Sequence, residues 1–213
     1  MKAADAVRFA RFAPLGAGVF TVGWLVLGFL SPGYRLFDLV IEPYSPVAQP
    51  ISGLGLGETG PLMNAAFILG GLFLLAGTIG IAFSWPRTRL ARVPLVLIGL
   101  SGVGLIVDGV FTLESVMLHL VGFLLAAPLP AVGFVLGGIA LRRVHPRRAK
   151  LLGIAGVTAL VLFTIFQIIF DPYSAGDNAG VAGLVQRALA TVVVGTIGVL
   201  GIVAARTPST PAS

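Results

Sequence analysis

The side chains in this sequence that could perform hydrolytic chemistry are Ser52, Asp108 and His119. A serine activated by a histidine, whose other ring nitrogen faces a carboxylate, attacks ester and amide carbonyls. Ser52 lacks the Gly-x-Ser-x-Gly pattern of a nucleophile elbow, and serine beside glycine in a loop is usually a turn residue. The residue types therefore permit a triad that the local pattern does not favour.

A metal site is a second hypothesis for the same region. Asp108, Glu114 and His119 lie across one short predicted hairpin, and a metal-bound water there could hydrolyse a lipid ester or amide. Hydrolytic zinc sites usually have three protein ligands with at least one or two histidines. The other histidine, His145, belongs to a distant basic segment, and the chain contains no cysteine. We therefore expect no metal and no cofactor.

Most of the remaining polar candidates lie inside long apolar segments, near the same end of each segment. An ionisable group inside a membrane helix is costly and is usually functional or paired. One interpretation is a structural network in which Asp108 and Arg187 neutralise one another. The other is a pocket for a lipid or small amphiphile. The candidate ligand-binding residues are Ser52, Asn64, Asp108, His119, Gln167, Gln186 and Arg187.

The apolar segments themselves predict the fold. Hydrophobic residues make up 57% of the 213 residues and charged residues 10%, which leaves little material for a separate soluble domain. A stretch of about 18 or more apolar residues can cross a bilayer. We predict an all-α polytopic membrane bundle over residues 1–206, followed by a disordered tail at 207–213. The six predicted helices span approximately residues 13–31, 62–83, 93–111, 117–141, 151–170 and 184–204.

Basic residues are concentrated in short hydrophilic segments between the apolar ones, and their distribution predicts how the helices are oriented in the membrane. Of the 14 Lys and Arg residues, 12 lie within residues 2–11, 87–92 and 142–150 or at Arg206. Basic segments stay in the cytoplasm, so both termini are expected there. The basic segments therefore line the cytoplasmic edge of the bundle, where they can contact anionic lipid. This placement explains the net charge of +6 without a nucleic-acid partner. Membrane lipids are the expected partners, and the sequence does not fix an oligomeric state.

The connection at residues 31–61 is the longest predicted loop and is rich in proline and glycine. It contains Ile51, Leu54 and Leu56, which are too apolar to remain in water, so we expect it to fold back over the outer mouth of the bundle. Its backbone amides at residues 53–57 could cradle a lipid phosphate near the start of the second helix. A nucleotide site is not expected, because no strand of a parallel sheet precedes these glycines.

The functional hypothesis is a polar pocket that faces the outer leaflet and binds a lipid or small amphiphile. A purely structural or assembly role, a metal-dependent hydrolase and a small-solute transporter remain as alternatives. A transporter is disfavoured because no ionisable residue is predicted at mid-depth to couple protons or cations. An enzyme is not the favoured interpretation. The prevalence of Arg over Lys, with abundant Ala, Gly and Val, is typical of a GC-rich bacterial genome, so the expected location is the bacterial plasma membrane.

Several short motifs together resemble those of the bacterial membrane proteins grouped as "domain of unknown function 998". The resemblance covers about residues 15–205 and implies a six-helix integral membrane protein without an established activity. In the family, the residue after the phenylalanine of the Gly-x-Phe motif is often proline, whereas this chain has Thr112 after Phe111. The matching segments are Tyr44-Ser45-Pro46, Gln49-Pro50-Ile51-Ser52-Gly53-Leu54-Gly55, Asn64, Gly109-Val110-Phe111 with His119, and Gly183-Leu184-Val185-Gln186-Arg187.

The charge pattern predicts the topology, which reporter fusions can measure. Fusions after Gly57 and after Asn178 should report an extracytoplasmic location, and a fusion after Arg147 should report the cytoplasm. A reversed location at any of the three positions would contradict the argument from basic segments.

Overall fold

In a computed structural model, which describes residues 8–86, 88–170 and 178–206, six helical spans are long and apolar enough to cross a membrane. The prediction of a six-helix membrane bundle is thereby confirmed. The orientation of the termini stays a prediction, and the predicted tail at 207–213 lies outside the described residues. The helices are α1 Phe12–Leu30, α2 Gly60–Ala82, α3 Arg89–Val110, α4 Val116–Ala126, α5 Pro128–Leu141, α6 Pro146–Ile169 and α7 Ala182–Arg206.

The fourth predicted helix is two helices, which corrects the continuous segment expected over residues 117–141. Helix α4 ends before Ala127, whose backbone is non-helical, and α5 starts at Pro128. Pro128 and Pro130 have no N–H group, so two carbonyl groups of the last turn of α4 lose their helical donors. Ser101 on α3 compensates for one of them by donating a hydrogen bond to the Ala126 carbonyl at 3.0 Å.

Two other helices begin several residues earlier than predicted, inside the basic segments. Helix α3 starts at Arg89 because Thr88 caps it, accepting a hydrogen bond from the Ala91 N–H at 3.3 Å. Helix α6 starts at Pro146, a residue that suits the first helical turn because its missing N–H would have no partner there. Charged residues therefore extend both helices beyond their apolar parts.

The spans form a closed ring in chain order. Helix α1 packs on α2, α2 on α3, and α3 on both α4 and α5; α5 then packs on α6, α6 on α7, and α7 returns to α1. Helix α7 also contacts α2, so it closes the ring and reaches its interior.

Residues 31–61 fold as a compact cap, and the end of the bundle that they cover is called the loop end here. The cap contains a hairpin of β1 Tyr34–Leu36 and β2 Leu39–Ile41, with Tyr34 paired to Ile41, followed by short 3₁₀ helices at Ile51–Gly55 and Gly57–Thr59. These strands were missing from the all-α prediction. Ile51, Leu54 and Leu56 are buried, as expected from their apolar character.

Helices α2 and α3 approach closely through glycine. A Cβ atom on Gly102 would lie 2.6 Å from the Gly71 carbonyl oxygen and 2.8 Å from the Leu75 backbone nitrogen. Backbone atoms cannot move aside as a flexible side chain can, so only glycine fits. Small residues at such positions are what allow helices to pack in lipid, where no hydrophobic effect drives them together.

We predict that Gly102→Ala destabilises the protein by about 1–3 kcal/mol, the usual cost of overpacking. Gly195→Ala is the matched control, because a Cβ atom there would meet nothing within 4 Å. Thermal unfolding in mild detergent should show a lower midpoint for Gly102→Ala and no loss for Gly195→Ala. Equal midpoints for the two variants would contradict this packing argument.

Candidate functional site

Arg187, in the first turns of α7, fastens the cap to the bundle. The side chain is buried, and its Nη1 donates to the carbonyl oxygens of Pro46 at 2.7 Å, Gln49 at 2.9 Å and Gly183 at 3.0 Å. Its Nη2 donates to the Tyr44 hydroxyl at 2.5 Å. Hydrogen bonds from a charged donor are stronger than neutral ones, so this one side chain fixes the path of residues 44–49.

The predicted pairing of Asp108 with Arg187 is wrong. The guanidinium donates to the four oxygen atoms named above, and its carbon also lies 5.6 Å from the ring centre of Trp24 and 5.8 Å from that of Tyr44. Aromatic faces attract cations, particularly where water is excluded. Carbonyl dipoles and ring faces thus replace the carboxylate that the sequence argument expected.

Further hydrogen bonds hold the cap, through residues that were not among the predicted site residues. The Tyr34 hydroxyl donates to Gln49 Oε1 at 2.9 Å, and Gln49 Nε2 donates to Asn178 Oδ1 at 3.0 Å. The Gly183 and Leu184 amides at the start of α7 donate to cap carbonyls. Tyr34 and Tyr44 lie outside the helices, and burial raises the pKa of both hydroxyls, so they remain protonated donors.

Ser52 and His119 are brought into direct contact although 67 residues separate them. Ser52 lies in the 3₁₀ helix of the cap, and its Oγ is 2.8 Å from His119 Nε2 on the first turn of α4. A Cβ atom on Gly53 would overlap the Tyr34 ring at 2.5 Å, so glycine at this position lets the cap lie flat against the hairpin. The triad hypothesis placed these two side chains together, and the structure does the same.

The other ring nitrogen of His119 is held at the turn between α3 and α4. Nδ1 is 2.8 Å from the Phe111 carbonyl oxygen and 3.5 Å from Asp108 Oδ1. Asp108 is 4% exposed, and within the described residues its Oδ1 has no hydrogen-bond partner by geometry. The carboxyl group is therefore close to the imidazole without replacing the carbonyl as its hydrogen-bond partner.

A cavity of about 340 Å³ opens beside Ser52 and His119, between the hairpin of the cap and helices α4 and α6. It is called the large cavity here, in contrast to a neighbouring cavity of about 40 Å³. This volume lies within the range of small-molecule sites. One wall is aromatic: the Phe123 ring meets Phe166 at 5.5 Å, and Phe166 stacks on Phe170 at 5.0 Å. The polar side chains that line the cavity are Tyr34, Ser52, His119, Gln167 and Gln186.

The remaining predicted residues occupy different surroundings. Gln167 is exposed on α6 and lines the large cavity. Gln186 is buried, and its Oε1 accepts the Ile51 N–H at 2.6 Å. Asn64 supports the cap from α2 by donating to the Gly55 carbonyl at 3.1 Å, and it lines a separate, charged cleft with Glu58 and Glu114. Asn64 and Arg187 are therefore not brought to the large cavity, whereas Ser52, His119, Gln167 and Gln186 are.

The proposed grouping of Asp108, Glu114 and His119 as metal ligands is wrong in this fold. Throughout residues 8–86, 88–170 and 178–206, no three His, Cys, Asp or Glu side chains come together in a way that could hold a metal ion. Glu114 instead lines the charged cleft on the other side of the cap.

A family model described as "Protein of unknown function (DUF998)" matches residues 14–203 of the chain. The match covers the cap and all seven helices except the first two residues of α1 and the last three of α7, so the resemblance noted in the sequence is confirmed. No curated protein and no solved structure matches the chain.

The contacts of Arg187 predict the outcome of a double-mutant cycle with Asp108. Arg187→Leu should lower the stability in detergent, because each buried acceptor left without a donor costs about 1–3 kcal/mol. Since Asp108 does not contact the guanidinium, Asp108→Asn in the same chain should not restore stability, and the two losses should add within about 0.5 kcal/mol.

The cycle is measured by thermal unfolding of the two single variants and the double variant. Arg187→Lys provides a further comparison, because an ammonium group keeps the charge but cannot reach the same four oxygen atoms in the geometry of a guanidinium. Partial rescue of Arg187→Leu by Asp108→Asn would show that the two residues are electrostatic partners after all.

Proposed function

The chain belongs to the DUF998 family of unknown function, and from that premise we propose that it is a multi-pass protein of the bacterial plasma membrane that binds a neutral amphiphile in the large cavity. The observation that carries this proposal is the composition of the cavity wall. A mostly apolar and aromatic wall carries a small number of hydrogen-bonding side chains, which is the pattern of a ligand site.

The lining favours a ligand without a formal charge. None of the described residues that line this cavity is Lys, Arg, Asp or Glu, and its polar members are hydroxyl, amide and imidazole groups. A phosphate or carboxylate would lose its hydration there without gaining a cationic partner. A suitable ligand has one acyl or alkyl chain, which contacts the apolar side chains, and hydroxyl or ester groups, which hydrogen-bond to the polar ones.

The surroundings of the cavity favour entry from lipid. At its rim, Phe37 is 67% exposed and Val116 is 55% exposed, and the adjacent outward residues Met117 and Ile168 are exposed apolar side chains. Apolar surface of this kind on a membrane-spanning bundle contacts acyl chains rather than water. By the positive-inside argument the loop end faces outward, so the ligand comes from the outer leaflet.

The test is binding of a glycerol monoalkyl ether that carries a fluorescent chain, an uncharged amphiphile that cannot be hydrolysed. Leu120→Trp should weaken saturable binding at least about tenfold, equivalent to 1.4 kcal/mol, because Leu120 lines the cavity and the indole would fill it. Fluorescence titration in detergent or in lipid nanodiscs measures the change.

Leu118→Trp is the matched control: Leu118 is on the same helix, is similarly exposed, and does not line the cavity. Leu118→Trp should bind the fluorescent ether with the affinity of the unmodified protein. The same probe with a phosphate headgroup should bind more weakly, since no cationic side chain in the described lining could pair with it. Equal binding by both tryptophan variants, or the lack of saturable binding, would refute the proposal.

A further inference from the structure

We infer that Ser52 is a nucleophile, activated by His119, that cleaves a carboxylic ester of the amphiphile bound in the large cavity. This inference rests on the proposed function, because the cavity has to hold the ester. It goes beyond that function by assigning a reaction class and the groups that perform it. Four features of the site carry it: a direct Ser–His contact, a fixed tautomer, access from the cavity and an amide side chain in the lining beside Ser52.

The tautomer of His119 follows from its two contacts. The Phe111 carbonyl oxygen can only accept a hydrogen bond, so at 2.8 Å the Nδ1 atom that faces it carries the proton. In the neutral ring Nε2 is then a bare acceptor, and the Ser52 hydroxyl at 2.8 Å donates to it. This is the arrangement needed for the ring to take the hydroxyl proton during attack.

Asp108 adds to the orientation of the ring. Its Oδ1 lies 3.5 Å from Nδ1, on the side where the Phe111 carbonyl already accepts. When Nε2 gains a proton the ring becomes cationic, and oxygen atoms around Nδ1 stabilise that cation. We assign Asp108 as a positioning residue, while Phe111 fixes the tautomer through its backbone.

The reacting atoms are accessible from the site where the ligand binds. Ser52 and His119 both line the large cavity. Ser52 also borders a smaller cavity of about 40 Å³, which is large enough for a water molecule. A hydrogen bond that only tied the cap to α4 would have no need to face a ligand-sized space.

Gln186 supplies a donor for the developing oxyanion. It lines both cavities beside Ser52, and its Oε1 is engaged by the Ile51 N–H at 2.6 Å. Because Oε1 accepts this bond, the Nε2 group of the same amide is left as a donor in the lining beside Ser52, and we assign it to the carbonyl oxygen that gains charge. Removing one such donor in other hydrolases costs about 10²–10³ in rate.

The reaction balances with water as the only co-reactant. Ser52 Oγ bonds to the ester carbon, its proton passes to His119 Nε2, and the carbonyl electrons move to oxygen. The carbon–alkoxide bond then breaks, and the leaving alkoxide takes the proton from Nε2, which leaves an acyl-serine. Water attacks this acyl carbon and gives a proton to Nε2. The bond to Oγ breaks, Oγ recovers the proton, and a carboxylic acid leaves.

The experiment is covalent labelling of the full chain by a long-chain alkyl fluorophosphonate, in which a serine oxygen replaces fluoride on phosphorus. Peptide mass spectrometry should locate the adduct on Ser52. Ser52→Ala should remove the adduct, and His119→Gln should slow labelling by about 10²-fold or more, as expected for the loss of a general base. Ser31→Ala, at another buried serine of the described chain, should label at the unmodified rate.

A second measurement follows hydrolysis of a fluorescent monoacylglycerol to free fatty acid, which should depend on Ser52 in the same way. Thermal unfolding shows whether each variant is folded. If the folded protein binds the monoalkyl ether but is neither labelled nor able to hydrolyse the ester, the assignment of Ser52 as a nucleophile is overturned and the binding proposal stands. If the ether is not bound either, both fail. Hydrolysis that persists in Ser52→Ala also overturns the assignment.

Discussion

A positive charge buried at the loop end of a membrane bundle is the constraint on which the rest of the structure depends. Arginine keeps its charge in proteins, so Arg187 needs acceptors for its N–H groups wherever it is placed. The carbonyl oxygens of the cap supply them, together with the Tyr44 hydroxyl. These contacts hold residues 44–49 of the cap over α7, and Ser52 comes three residues after Gln49, the last cap residue bound by the guanidinium. The position of the Ser52 hydroxyl therefore depends on how this charge is neutralised.

The six spans could be predicted because hydrophobic length is a property of the sequence alone. The break at Ala127 was also foreseeable in principle, since Pro128 and Pro130 remove two helical donors. The hairpin of the cap was not, because strands of three residues leave too short a pattern to recognise. The Asp108–Arg187 pairing failed for a specific reason: sequence reasoning searches for opposite charges among side chains, whereas the acceptors used here are backbone carbonyl groups, which every residue has.

The candidate site was accessible to sequence reasoning only in part. Polar residues near the same end of several helices indicated a shared depth, and Ser52, His119, Gln167 and Gln186 do meet at one cavity. Their shared depth did not indicate which would touch, because the contact of Ser52 with His119 depends on the folding of the cap. Gln49 belongs to a motif that was recognised, yet its role as a buried bridge between Tyr34 and Asn178 emerges only in three dimensions.

The polar side chains at the loop end fall into two groups, one that hydrogen-bonds to the cap and one that lines the large cavity. Arg187, Asn64 and Gln49 hydrogen-bond mainly to the cap and stand outside the large cavity. Ser52 and His119 contact each other and also face the space that a ligand would fill. Ser52 and His119 are about as completely buried as Arg187, with 8% and 6% relative exposure against 6%, so burial alone does not separate the two groups. What distinguishes the Ser52–His119 hydrogen bond from the contacts of Arg187 is its position in the wall of a ligand-sized cavity, because a molecule bound there would meet both side chains while the same bond ties the cap to α4.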